Sequence, residues 1–117
     1  SMDVAIIDGV WNGMFQALKI AALADAHDVN VATHNFYGDL CTFMNSHFAA
    51  AVPNLHIMEV DIDRLPWESE LFTHAPEFKD GCLIIPDRPG WGTDPIEKEL
   101  RARPPKIMGG LLQYKRS

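Results

Sequence analysis

Three short apolar runs, each ending on an ionisable side chain, alternate with two stretches whose apolar residues recur every three or four positions. The runs are Val4-Ala5-Ile6-Ile7 before Asp8, Val29-Asn30-Val31-Ala32-Thr33 before His34, and Leu55-His56-Ile57-Met58 before Glu59. Short apolar runs rich in β-branched residues read as strands. Between the first two, Gly9-Val10-Trp11-Asn12-Gly13 reads as a loop. A helix is then predicted over 14–26, because apolar residues fall at Phe15, Leu18 and Ala22 and again at Ile20, Leu23 and Ala24, a wide buried face. His27-Asp28 closes it. A second helix is predicted over 40–51, stopped by Pro53-Asn54. Strand, helix, strand is the parallel crossover unit, right-handed in nearly every case.

The second half of the chain follows a different pattern. Asp61-Ile62-Asp63-Arg64-Leu65-Pro66-Trp67 shows no period. The run from Glu77 to Pro86 reads as a hairpin turning at Asp80-Gly81. Arg88-Pro89-Gly90-Trp91-Gly92 is a rigid turn, and 95–103 is a short helix with Pro95 in its first turn, ended by Pro104-Pro105. The last dozen residues, with Gly109-Gly110 and Lys115-Arg116, are expected to fray or to dock on a partner.

Composition narrows the function classes. The 117 residues suit one ordinary domain, and 47% apolar with 22% charged residues is the balance of a folded globular chain. A net charge of −6 without a Lys/Arg run argues against nucleic acid, whose phosphates need a basic face. Gln16 and Lys19 interrupt the longest apolar stretch, so no membrane span is expected. Ser1-Met2 reads as a cloning remnant, and no secretory leader is expected. Cys41 and Cys82 lack metal or redox spacing. A reduced, cytoplasmic setting follows.

The chemistry concentrates at the strand ends. Parallel neighbours lie about 4.8 Å apart, so residues ending adjacent strands can touch. An Asp beside a His can fix the imidazole tautomer and strengthen it as a base. Asp8, His34 and Glu59 are therefore the candidate catalytic residues, with no cofactor-binding or metal residue assigned. Each has a plainer reading: Asp8 capping the next turn, His34 bonded to backbone, Glu59 solvated before Asp61 and Asp63. His47 and His56 read as packed or surface residues and His27 and His74 as loop residues; no histidine pair has zinc spacing. Trp67 and Trp91 read as hydrophobic anchors, and so does Trp11, although its place just beyond Asp8 leaves a substrate contact open.

The run Leu18-Lys19-Ile20-Ala21-Ala22-Leu23-Ala24 and the run Val31-Ala32-Thr33-His34-Asn35-Phe36-Tyr37 resemble the mandelate racemase and muconate lactonising group of the enolase superfamily. So do His47-Phe48-Ala49-Ala50-Ala51-Val52-Pro53-Asn54 leading into Ile57-Met58-Glu59, then Trp67, Asp80-Gly81-Cys82-Leu83 and Pro86-Asp87-Arg88-Pro89-Gly90-Trp91-Gly92. The resemblance implies an α/β chain that is the C-terminal fragment of a (β/α)₈ TIM barrel, strands six to eight with their helices, plus a C-terminal hairpin and short helix. Residues 1–60 would be the last βα units, and 61–117 an extension packing on the barrel and towards a missing capping domain.

The resemblance also implies chemistry. The parent enzyme would be a sugar-acid dehydratase, hence a lyase, or a racemase. It would abstract the proton α to a carboxylate, with Asp8 and His34 as the base pair and Glu59 holding the substrate carboxylate or enolate. Mg²⁺ would stabilise the enediolate in the parent, on acids of strands this chain lacks, so no cofactor is expected in this chain and the chain alone is expected to be inactive. Some relatives carry a second His where Asp39 stands, which leaves the seat of the ancestral base open between His34 and the Asp39 position. Three barrel units leave sheet edges and one face uncovered, which the hairpin added to the sheet or a second copy would cover; a homo-oligomer burying the missing barrel wall is expected. The alternatives are a non-catalytic fragment that folds and oligomerises, and a small organic-acid-binding module. The expected partners are a small carboxylate or sugar acid and the missing N-terminal part of the enzyme.

Overall fold

The computed structural model describes residues 2–104; the expectation for the last dozen residues lies outside them. The chain is α/β. Three strands, β1 (Val4–Ile7), β2 (Asn30–Thr33) and β3 (Leu55–Met58), form one parallel sheet in the order β1-β2-β3. Between β1 and β2 run a one-turn helix α1 (Gly9–Asn12) and the crossover helix α2 (Met14–Asp25); α3 (Asp39–Ala51) connects β2 to β3. Ile7 pairs with Thr33 and Thr33 with Met58, so the three strands end level. The register shifts once, between Val31 and Ala32, and the shifted pairing then holds to the strand ends. The His34 N–H donates to the Ile7 carbonyl at 2.9 Å, carrying the ladder to the rim.

Alternation along the strands gives the sheet two unlike faces. Ile7 and Val31 meet Ala17 and Ala21 of α2 and Phe48 of α3 in the buried core. The helix face against the sheet is therefore the alanine face. Phe15, Leu18 and Leu23, part of the face predicted to be buried, are exposed. Two apolar flanks of α2 satisfy the same period, and a three-stranded sheet is wide enough to cover one. Small side chains on that flank let the helix axis approach closely. Asn54 pins the units together: its buried Nδ2 donates to the carbonyls of Ala21 at 3.1 Å and Val29 at 2.9 Å, at the end of α2 and just before β2.

The opposite face is bare. Ile6 is 73% exposed and Ile57 62% exposed, joined in register through Ala32. The hairpin does not cover it or extend the sheet. β4 (Glu77–Lys79) and β5 (Cys82–Ile84) form their own two-stranded sheet, closed by Asp80 and Gly81, both at positive φ (51° and 76°), the geometry of a tight hairpin turn. A 3-10 turn over Glu68–Leu71 precedes it, and α4 (Glu97–Ala102) follows. These two are tied by Ile96 N–H to Leu71 O at 2.8 Å and Thr73 N–H to Asp94 O at 2.9 Å. The tryptophans are shallower anchors than expected. Trp67 lies under the Arg103 guanidinium and Trp91 beside His47, both partly exposed, and Trp11 is mostly exposed. No helix of the described residues is long and apolar enough to cross a membrane.

Phe48 is the large side chain in the cluster that joins α3 to the sheet. Phe48→Ala should cost about 3–5 kcal/mol, the range for emptying a buried aromatic site. Urea unfolding followed by circular dichroism reads it. An unchanged midpoint would mean that α3 does not depend on this contact.

Candidate active site

Asp8, His34 and Glu59 each stand one residue past the end of a strand, and strand alternation sends all three to the bare face, above Ile6, Ala32 and Ile57. The structure brings them together. Asp8 Oδ2 lies 2.8 Å from His34 Nδ1, and His34 Nε2 lies 4.0 Å from Glu59 Oε2. The plainer reading of Asp8 is also satisfied: Oδ1 accepts the N–H groups of Val10 at 2.9 Å and Trp11 at 3.0 Å, capping α1. That cap turns the segment predicted as a loop into a helical turn, because it satisfies two of the donors a helix start leaves open. Orienting the imidazole and capping the helix are thus done by separate oxygens of one carboxylate.

Charge then fixes the tautomer. Burial raises the Asp8 carboxyl pKa, but donors from the Tyr37 hydroxyl, the Trp11 N–H, His34 and the Val10 N–H together outweigh it and hold the group below its ordinary 3.8. An ionised carboxylate only accepts, so His34 Nδ1 carries a proton, and in the neutral ring Nε2, on the side of Glu59, keeps the lone pair. Tyr37 donates its hydroxyl to Asp8 Oδ2 at 2.7 Å; that bond, with burial, raises its pKa above 10.0 and keeps it protonated at neutral pH.

Glu59 is held from the loop after β2. Its Oε2 accepts the Asn35 N–H at 2.8 Å, and the buried Asn35 amide donates to Glu59 O and to Thr42 Oγ1, both at 3.0 Å. Asn45 Nδ2 donates to His34 O at 3.1 Å from α3. Sequence reasoning assigned no role to Asn35, Tyr37 or Asn45. Asn35 and Tyr37 follow the candidate base in one loop, a signal available from spacing alone. Asn45 had none, since it reaches the rim only through the packing of α3.

A pocket of about 310 Å³ opens over Ile6, Ala32 and Ile57, with His34 and Glu59 on its wall. Asp8 does not line it. A larger apolar cleft of about 740 Å³ lies between α3, β3 and the hairpin, with none of the three rim residues on its wall. Asp39 does not join the rim: its wholly buried carboxylate forms an ion pair with Arg64, at the start of α3. Cys41 is no nucleophile at neutral pH, since burial and then the Asp8 charge push its thiol up to about 11.

The donor set does not make a magnesium site. Among the described residues, no group of three or more His, Cys, Asp and Glu side chains could hold a metal ion. Mg²⁺ needs several oxygen ligands in near-octahedral array. Both Asp8 oxygens are already engaged twice, and the rim offers Glu59 alone.

The lowered Asp8 pKa sets the sign of a pH effect. A carboxyl group whose folded pKa lies below its unfolded value stabilises the fold above the unfolded value, and that contribution is lost as pH falls through the folded one. Carboxyl ¹³C titration should place the Asp8 midpoint below 3.8, and Asp8→Asn should flatten the acid limb of stability against pH. Coincident wild-type and D8N limbs would contradict it.

Comparison with known proteins bears on the family. The family model "Enolase C-terminal domain-like" matches residues 1–99. The D-xylonate dehydratase of Haloferax volcanii is 35% identical over 80 residues, covering 68% of this chain and 19% of that protein. The D-gluconate dehydratase of Thermoproteus tenax is 31% identical over 102 residues, covering 84% of this chain and 20% of that protein. A Burkholderia xenovorans protein provisionally named L-alanine-DL-glutamate epimerase, solved with magnesium and fumarate, is 73% identical, with TM-score 0.89 over 96% of this chain and 28% of that one. This chain therefore spans about a fifth of those curated relatives and little more than a quarter of the solved one. The family model spans most of the chain, and the chain belongs to the enolase C-terminal domain-like proteins.

Proposed function

We propose that this chain is the C-terminal part of a barrel enzyme that removes the proton α to the carboxylate of a sugar acid, as a dehydratase or a racemase. The observation that carries the reading is the Asp8–His34 pair at 2.8 Å, with Nε2 free and facing Glu59 across an apolar pocket. His34 Nε2 takes the proton. Asp8 holds the tautomer and steadies the imidazolium that forms, and Glu59 faces the substrate carboxylate or the enolate oxygen. The dehydratase names of the two curated relatives favour sugar acids as the substrate class. β1, β2 and β3 are strands six to eight of the barrel, within residues 1–60, and residues 61–117 are the extension that leads towards a capping domain. Magnesium, where the parent uses it, is held by acids outside this chain, so no step here is assigned to it.

A chimera tests the chemistry. This chain would replace the matching 28% of the Burkholderia xenovorans protein, to which it is 73% identical. The chimera should exchange the α-proton of any sugar acid or other α-substituted carboxylate the parent exchanges, read by NMR in deuterated water. His34→Asn should slow exchange about 10²–10⁴-fold, the size of a general-base contribution. Undiminished exchange by that variant would sink the assignment.

The bare sheet face favours a second statement. The isolated chain is inactive and associates with itself, because Ile6, Ala32 and Ile57 form an apolar strip beside unpaired strand edges. Light scattering after size exclusion should give a mass above the 13.1 kDa monomer, and Ile6→Lys with Ile57→Lys should return the monomer. A monomeric wild type at micromolar concentration is the contrary result.

A further inference from the structure

The Asp8 carboxylate is fully subscribed. Oδ1 takes two backbone N–H groups, while Oδ2 takes His34 Nδ1 at 2.8 Å and the Tyr37 hydroxyl at 2.7 Å. Tyr37 has a partner of its own, since Trp11 Nε1 lies 2.7 Å from its oxygen. Proton counting fixes the direction of this chain of bonds. The indole N–H can only donate and the ionised carboxylate can only accept, so the single phenol proton points at Asp8. The order runs from Trp11 to Tyr37 to Asp8, and His34 donates to the same Asp8 oxygen from the other side. The Tyr37 ring also meets the His34 ring edge-on, with centroids 5.3 Å apart and planes at 86°.

Two donors on one oxygen divide its charge. A donor that itself accepts a hydrogen bond gives more strongly, so Trp11 makes Tyr37 the stronger competitor. We propose that Tyr37, held by Trp11, is a positioning residue that shares Asp8 Oδ2 with His34 and so sets how much carboxylate charge reaches the imidazole. Without the phenol proton, the whole of Oδ2 would fall to His34 Nδ1–H, and the base would be bound more tightly by its orienting partner. The inference rests on His34 as the base; its physical content is a property of the hydrogen bonds alone. It also assigns a purpose to an indole that is 81% exposed yet aimed at a hydroxyl.

The experiment is ¹⁵N NMR of the neutral His34 ring in the 117-residue chain, followed from low to high pH until the ring resonances stop moving. Tyr37→Phe keeps the ring and its edge-on contact, and the site of the lost hydroxyl is reached by solvent, so the fold should survive. Its Nδ1 resonance should move downfield of wild type, the mark of a stronger Nδ1–H bond. Replacing the two tyrosines of the chain by 3-fluorotyrosine gives a more acidic phenol and should move Nδ1 upfield. Trp11→Phe should move it downfield by less than Tyr37→Phe. An unmoved Nδ1 in Tyr37→Phe, or the same direction for it and fluorotyrosine, overturns the proposal; an unmoved Trp11→Phe signal strikes Trp11 from it. A failed chimera with a shifted Nδ1 would refute the reaction while leaving this arrangement standing. A working chimera with an unmoved Nδ1 would do the reverse.

Discussion

The level register of three parallel strands is the constraint on which the site depends. Ile7, Thr33 and Met58 pair across the sheet, so the next residue of each strand reaches the same rim and the same face. A one-residue slip would send one of Asp8, His34 and Glu59 to the helix-covered side. The shift that does occur, between Val31 and Ala32, precedes the last two pairs, which run in step to the rim. The His34 N–H bond to Ile7 O then ties the last rung of the ladder to the first residue of the site, so backbone pairing and side-chain geometry are one structure.

Everything added at the rim refines that register. The Asp8 cap fixes the start of α1, which aims Trp11 at Tyr37; Tyr37 returns the bond to Asp8. Asn35 holds Glu59 by its backbone and its side chain, and Asn45 reaches in from α3 to the His34 carbonyl. Groups whose rotamers are fixed by neighbours give up less orientation when a ligand arrives. The Asp39–Arg64 ion pair works further back. It ties the start of α3 to the stretch after β3, and a wholly buried carboxylate is tolerable there only because it is paired.

The bare face and the site are two aspects of one arrangement. The same alternation that lifts His34 and Glu59 to the rim places Ile6, Ala32 and Ile57 beneath them as an apolar floor. Its exposure fits a chain that spans only part of its relatives. The hairpin does not close the gap, and its strands form a separate sheet.

Local signals fixed much of this in advance. Strand runs ending in Asp, His and Glu, helical periods between them, and an Asp-Gly turn specify βα units, their parallel pairing and the Asp80-Gly81 hairpin, because each rests on backbone sterics and on alternation over a few residues. The closeness of Asp8 to His34 followed from the same strand logic. Other features rest on contacts between distant segments. Which flank of α2 is buried was undecidable from its period, since Phe15 and Leu23 repeat as regularly as Ala17 and Ala21, and the width of the sheet chose the alanines. The double duty of Asp8, the Asn35 and Tyr37 bonds and the withdrawal of Asp39 to Arg64 depend on where side-chain oxygens arrive in space. Periodicity reports which face a residue occupies; only the packed tertiary structure decides which polar atom finds which partner.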